Sequence, residues 1–82
     1  METTEIKSKI RDIIAGMFDV KPSEVSDTKS FKDMAKYDSM RALEFLAKLE
    51  NEFDVMIEPD FLQKMQSVEQ SVQVIEELLR AK

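Results

Sequence analysis

A chain of 82 residues, 43% hydrophobic and 35% charged, has enough apolar content for one folded unit with a modest core, but so short a chain buries only about 60% of its unfolded surface and has little room for a large cavity. It contains no cysteine and no histidine, which excludes disulfides, thiolate nucleophiles, zinc knuckles and the usual imidazole base or metal ligand. All of the net charge of -5 falls between Asp38 and Asp60, where Asp38, Glu44, Glu50, Glu52, Asp54, Glu58 and Asp60 outnumber Arg41 and Lys48, a balance that favours a basic protein partner and disfavours nucleic acid.

The first amphipathic element is expected from near Thr4 to Phe18, because Ile6, Ile10, Ile13, Ile14 and Met17 recur at helical spacing. Gly16 weakens its end, and Pro22 then disfavours helical dihedrals at Lys21. Residues 19 to 38 form a long connection in which Val25, Phe31 and Met34 are anchors to the core, with short helical turns expected near Pro22 to Val25 and near Phe31.

A second helix should open at Asp38 or Ser39 and close near Asn51 or Glu52. Met40, Leu43, Leu46, Ala47 and Glu50 mark one line, broadened by Phe45, Leu49 and Phe53, with Met40 and Ala47 at its margins facing solvent or a partner. The stretch from Asp54 to Pro59 alternates weakly and closes on proline, which reads as an anchored loop. Asp60 is expected to cap a short helix containing Phe61, Leu62 and Met65. The last helix starts at Ser67 with Gln70 as a capping box, and carries a stripe of Val68, Val72, Ile75 and Leu79 flanked by Val74 and Leu78. Three substantial apolar stripes and one short helix can close into a small all-α bundle. No segment approaches the roughly 20 apolar residues of a membrane span and no signal-length apolar run opens the chain, so a cytoplasmic protein without membrane insertion is expected.

Ser39 is the residue with chemical promise. In its plain reading Asp38-Ser39 is an N-cap, either side chain accepting a bond from an unpaired first-turn amide. The functional reading adds a phosphate ester on the serine oxygen, because the free amides and dipole of a helix N-terminus favour an anion. No paired base and nucleophile can be named, which argues against an enzyme. A helical interaction adaptor using the acidic face is the alternative from another class.

The sequence resembles the acyl carrier protein family in Asp38-Ser39-Met40, where the family usually has Asp-Ser-Leu, in Glu44, in Leu49-Glu50-Asn51-Glu52-Phe53-Asp54, in Ile57-Glu58-Pro59-Asp60 and in Ser67-Val68-Glu69. The order and spacing of these segments cover nearly the whole chain. It departs in Met34-Ala35-Lys36-Tyr37, where the family commonly has leucine and glycine, and in the positive charges Lys36 and Arg41 on both sides of Ser39.

The resemblance implies a single carrier domain over residues 1–82, a four-helix bundle of three longer helices and one short one. It implies no catalysis by the chain itself. Ser39 would receive 4'-phosphopantetheine from coenzyme A through a separate transferase, with Asp38 helping to position the helix end for a magnesium-dependent transfer. The missing cysteines then fit, because the reactive thiol belongs to the arm. Matching positions nominate Met40, Glu44, Ala47, Glu50, Glu52 and Asp54 for docking acyl-loading and acyl-processing enzymes with basic patches, and Phe45, Leu46, Phe61, Leu62, Met65 and Ile75 as the lining of an acyl pocket. A monomer is expected, since the second helix must stay free. The cargo is acyl in fatty-acid, polyketide or related synthesis, with an amino-acyl or peptidyl carrier as the alternative within the family.

Overall fold

Six helical segments follow one another in the computed structural model, which describes residues 2–34 and 37–81. Three are α-helices: α1 (Thr3–Phe18), α2 (Ser39–Phe53) and α3 (Val68–Arg80). Three are 3₁₀ segments, at Pro22–Glu24, Phe31–Asp33 and Pro59–Lys64. The architecture is all-α, a bundle of three longer helices closed by the short Pro59–Lys64 helix, with no strand among the described residues.

The apolar periodicity of each helix is what brings them together. Ile6, Ile10, Ile14 and Phe18 of α1, Ala42, Phe45, Leu46, Leu49 and Phe53 of α2, and Val68, Val72 and Ile75 of α3 are all buried in one core. Phe31 enters the same core from the long connection and meets the Phe45 ring edge-on at 5.3 Å. An edge-to-face pair of this kind adds about 0.5–1.5 kcal/mol beyond the area it buries.

The 19–38 connection is held at several points, as its anchor residues predict. The Phe31 amide donates to the Gln66 carbonyl at 2.7 Å, and the Glu69 amide to the Asp27 carbonyl at 2.9 Å, so the connection is tied to the start of α3. The Asp27 carboxylate also takes Lys7 at 3.2 Å and Arg11 from α1. The Arg11 hydrogen bond first, and that of Lys7 after it, hold the Asp27 carboxyl below the usual carboxylate range. Two further contacts link the long helices, Lys9 to Glu52 at 3.2 Å and the Thr3 hydroxyl donating to Glu76 at 2.6 Å.

Several sequence expectations need correction. Helix α2 runs on to Phe53 because that ring is buried, and it ends only where Asp54 takes a left-handed conformation at φ 53°. Asp19 ends α1 in the same way at φ 55°; aspartate tolerates this region better than most non-glycine residues. The short helix is 3₁₀ and starts at Pro59, whose fixed φ suits a first helical position; Asp60 is not its cap and Met65 lies just past its end, fully buried. Leu43, expected in the apolar line of α2, is 53% exposed, because the helix turns Ala42, Phe45, Leu46 and Leu49 inward instead. The capping box at α3 is offset. Ser67 accepts from the Gln70 amide at 3.2 Å, but the Gln70 side chain reaches back to the Gln66 amide at 3.0 Å rather than to that of Ser67.

Candidate functional site

The capping task that the sequence left open between Asp38 and Ser39 falls to Asp38. Asp38 is the N-cap, with extended backbone and a carboxylate oxygen accepting from the Arg41 amide at 2.8 Å. Ser39 is therefore the first helical residue, and its hydroxyl is not used in capping. It is exposed and makes no hydrogen bond among the described residues. The first amides of the helix have no intrahelical acceptor, so an anion attached at this oxygen meets donors and the positive end of the dipole.

Arg41 pairs with Glu44 at 3.1 Å, one turn along the helix, and is not turned back to Ser39. Lys36 lies outside the described residues. Tyr37 is half-buried, with its ring 6.3 Å from that of Phe18 and 6.0 Å from that of Phe31. Burial pushes its phenol pKa up, as expected for a group that stays neutral inside this ring cluster.

Beside Ser39 lies a recess of about 380 Å³, assembled from three parts of the chain. Tyr37, Asp38, Ser39 and Ala42 form one wall at the head of α2, Lys32 comes from the connection, and Leu62, Gln63 and Gln66 come from the segment before α3. Of the six residues nominated to line an acyl pocket, Leu62 alone borders this recess. Phe61 lines a separate one with Met56, Ile57 and Leu78, while Phe45, Leu46, Met65 and Ile75 are buried members of the packed core. Lys32, Gln63 and Gln66 carry no sequence signal of their own, since only the fold brings them together.

On α2, Met40 is 77% exposed and Leu43 53%, and Ala47 is also on the surface, so an apolar strip faces solvent along the helix. The acids around it are engaged within the chain to different degrees. Glu44 holds Arg41, Glu52 holds Lys9, and the half-buried Glu50 accepts from the Ile57 amide at 3.0 Å. That last bond makes Glu50 an anchor for the 54–58 loop, a role its place in the helix pattern did not announce. Among the described residues no group of three or more acidic, histidine or cysteine side chains is placed to hold a metal ion.

Comparison with known proteins converges on one family. The family described as "Phosphopantetheine attachment site" matches residues 8–75. The chain is 35% identical over 75 residues to the acyl carrier protein of Chlorobium phaeovibrioides, covering 92% of this chain and 96% of that one.

The chain belongs to the acyl carrier protein family.

A second relative, the acyl carrier protein of Lactobacillus acidophilus, is 33% identical over 75 residues, with 92% of this chain and 94% of the other covered. The fold agrees: the solved structure of the acyl carrier protein from Enterococcus faecalis superposes with a TM-score of 0.78 at 31% identity, covering 95% of this chain and 99% of that one. This carrier is accordingly not an enzyme, and it carries acyl intermediates as thioesters for lipid or polyketide synthesis on a covalently attached 4'-phosphopantetheine. The exposed hydroxyl at a helix N-terminus beside an open recess suits such a group. No helix among the described residues is long and apolar enough to cross a membrane.

Proposed function

We propose that Ser39 is the residue on which this acyl carrier protein holds its 4'-phosphopantetheine, and that residues 1–82 act as one carrier domain, monomeric and cytoplasmic. The observation that carries this reading is the division of labour at the head of α2: Asp38 caps the helix and leaves the Ser39 hydroxyl exposed and unbonded among the described residues. In the attachment reaction the Ser39 oxygen bonds to the phosphorus that bears the pantetheine of coenzyme A. The pyrophosphate bond breaks, adenosine 3',5'-bisphosphate leaves, and the serine proton passes to a base of the transferase. The thiol at the end of the arm supplies the thioester chemistry. Asp38 keeps the first turn of α2 in place, so that Ser39 is offered at a fixed position.

The partners are a phosphopantetheinyl transferase and the acyl-loading and acyl-processing enzymes, which present basic patches to α2. Met40 and Ala47, together with Leu43, supply the apolar contact, and Glu44, Glu52 and Asp54 the charge. Glu50 supports this surface through the loop it anchors. Charge of this kind raises the on-rate and selects partners more than it adds affinity, which suits a carrier that must leave quickly. Because Leu43 is half exposed, Leu43→Asp is expected to keep thermal stability near the wild-type value and to slow arm transfer by about tenfold, the loss of a moderate interface contact. Transfer at the wild-type rate would remove this strip from the docking surface.

Incubation with coenzyme A and a phosphopantetheinyl transferase, followed by intact mass measurement, tests the attachment. Wild-type protein should gain the mass of one arm and Ser39→Ala none; an equal gain in the variant would overturn the assignment.

A further inference from the structure

We propose that the groove between α1 and α2 is a docking site for a segment of a partner protein that carries an apolar side chain between an acid and a base. This inference does not depend on Ser39 being the attachment residue. The groove holds about 530 Å³, more than the recess beside Ser39, and Gly16 stands in its α1 wall beside the half-buried Ile13 and Met17.

Gly16 is the chain's single glycine, and nothing in the fold asks for it. Its φ is not left-handed, and a Cβ built on it meets nothing within 4 Å. Glycine is the poorest helix former after proline, so the residue weakens α1 with no gain in backbone or packing. Its missing side chain leaves an opening in the groove wall, where Ile13 and Met17 show the faces they do not turn to the core. A residue that breaks a local rule without a structural reason is expected where a site needs it, and this opening has room for an apolar side chain from outside.

Charge selects what enters. On the α2 wall, Glu44 is held by Arg41 and Glu52 by Lys9, so both acids are already compensated. The lining charges left without an ion-pair partner among the described residues are Asp12 on α1 and Lys48 on α2, one of each sign and on opposite walls. A nucleic acid or an anionic lipid surface is repelled by Asp12 and by the two paired acids behind it. A uniformly basic partner satisfies Asp12 but sets its own charge against Lys48, and a second copy of the chain brings another net charge of -5 to the contact. A segment with a base over Asp12 and an acid over Lys48 satisfies both while its apolar side chain lies over Gly16, and the like-charge contacts of other partners reject them. Met40 and Ala47 lie one helical turn before Glu44 and Asn51, so the groove borders the exposed apolar strip of α2, and a partner seated on that strip reaches it.

Titration of the arm-bearing, nitrogen-15-labelled protein with designed helical peptides tests the groove. Three peptides share a leucine on one face and differ in the charges one turn to either side of it: a lysine and a glutamate, two lysines, or two glutamates. The mixed peptide should bind most tightly and shift the backbone amides of residues 12–17 and 44–52. Gly16→Leu fills the opening. Its thermal midpoint should be no lower than that of wild type, because leucine favours helix, and it should weaken the mixed peptide at least about tenfold, the loss of a central apolar contact. Lys48→Glu should weaken the mixed peptide about fivefold, the scale of one exposed charge pair, and make the two-lysine peptide the preferred one. If the mixed peptide does not bind, shifts amides elsewhere, or binds Gly16→Leu as tightly as wild type, the groove is not a docking site. A two-lysine peptide that binds wild type better than the mixed one overturns the partner's chemistry. A concentration-dependent doubling of molecular mass that Gly16→Leu abolishes assigns the groove to a second copy and overturns the partner.

Discussion

At the scale of single residues, the head of α2 depends on Asp38 doing the capping. Its carboxylate satisfies the Arg41 amide at 2.8 Å, so Asp38→Ala should lower stability by about 0.5–2 kcal/mol, the usual cost of losing such a cap. Urea denaturation measures this, and a loss near zero would mean that another group takes over the amide. The pair Asp38-Ser39 was legible in the sequence as a helix start, but which of the two capped was not, because both side chains are competent. Sequence placed the Arg41 charge beside Ser39, whereas a side chain at this position also reaches Glu44 on the same helix face, and the structure has it there.

At the scale of elements, α1 carries a weakness near its end. Gly16 sits in the last full turn, and a Cβ built on it meets nothing within 4 Å. Gly16→Ala is therefore expected to stabilise the protein by up to about 1 kcal/mol, through helix propensity and a less flexible unfolded chain. Thermal denaturation checks it, and a lower midpoint would show that the backbone at this position needs glycine.

The three long helices could be read from apolar periodicity because each hides one face in a common core. Local irregular structure was less legible. Whether residues near Pro59 form α or 3₁₀ turns depends on hydrogen bonds one residue apart, which composition does not resolve. Leu43 was misread because α2 has apolar residues over a wider arc than its neighbours cover, and burial follows the neighbours. The Glu50 bond to Ile57 joins residues seven apart across a loop, a contact no helical pattern announces.

At the scale of the whole molecule, the long connection is fastened to both α1 and α3 through Asp27. The folded state lowers the pKa of this carboxyl, so its contribution is present above the unfolded value of about 3.9 and is lost as pH falls through the lower folded value. Asp27→Asn should thus be less stable than wild type near neutral pH, and the difference should shrink as the pH drops below about 4. Because the ion pairs are about one-third exposed, each is worth at most about 1 kcal/mol. A gap that stays constant down to strong acid would assign the effect to the neutral hydrogen bonds alone.

The recess beside Ser39 also belongs to this largest scale. Its walls come from residues 32, 37–42 and 62–66, and only the closure of the bundle brings them together. The resemblance nominates Leu62 as pocket lining, whereas Lys32, Gln63 and Gln66 carry no pattern in the sequence that points to this recess. The family could be read because its segments recur in order along the chain.

We propose Ser39 as the residue on which this acyl carrier protein holds its arm. Proteolysis of the protein isolated from its own host, followed by tandem mass spectrometry, locates the arm most directly. A phosphopantetheinyl group is expected on the peptide that contains Tyr37-Asp38-Ser39-Met40, with fragment ions assigning it to the serine. An arm found on any other residue, with Ser39 unmodified in the same molecules, would contradict it.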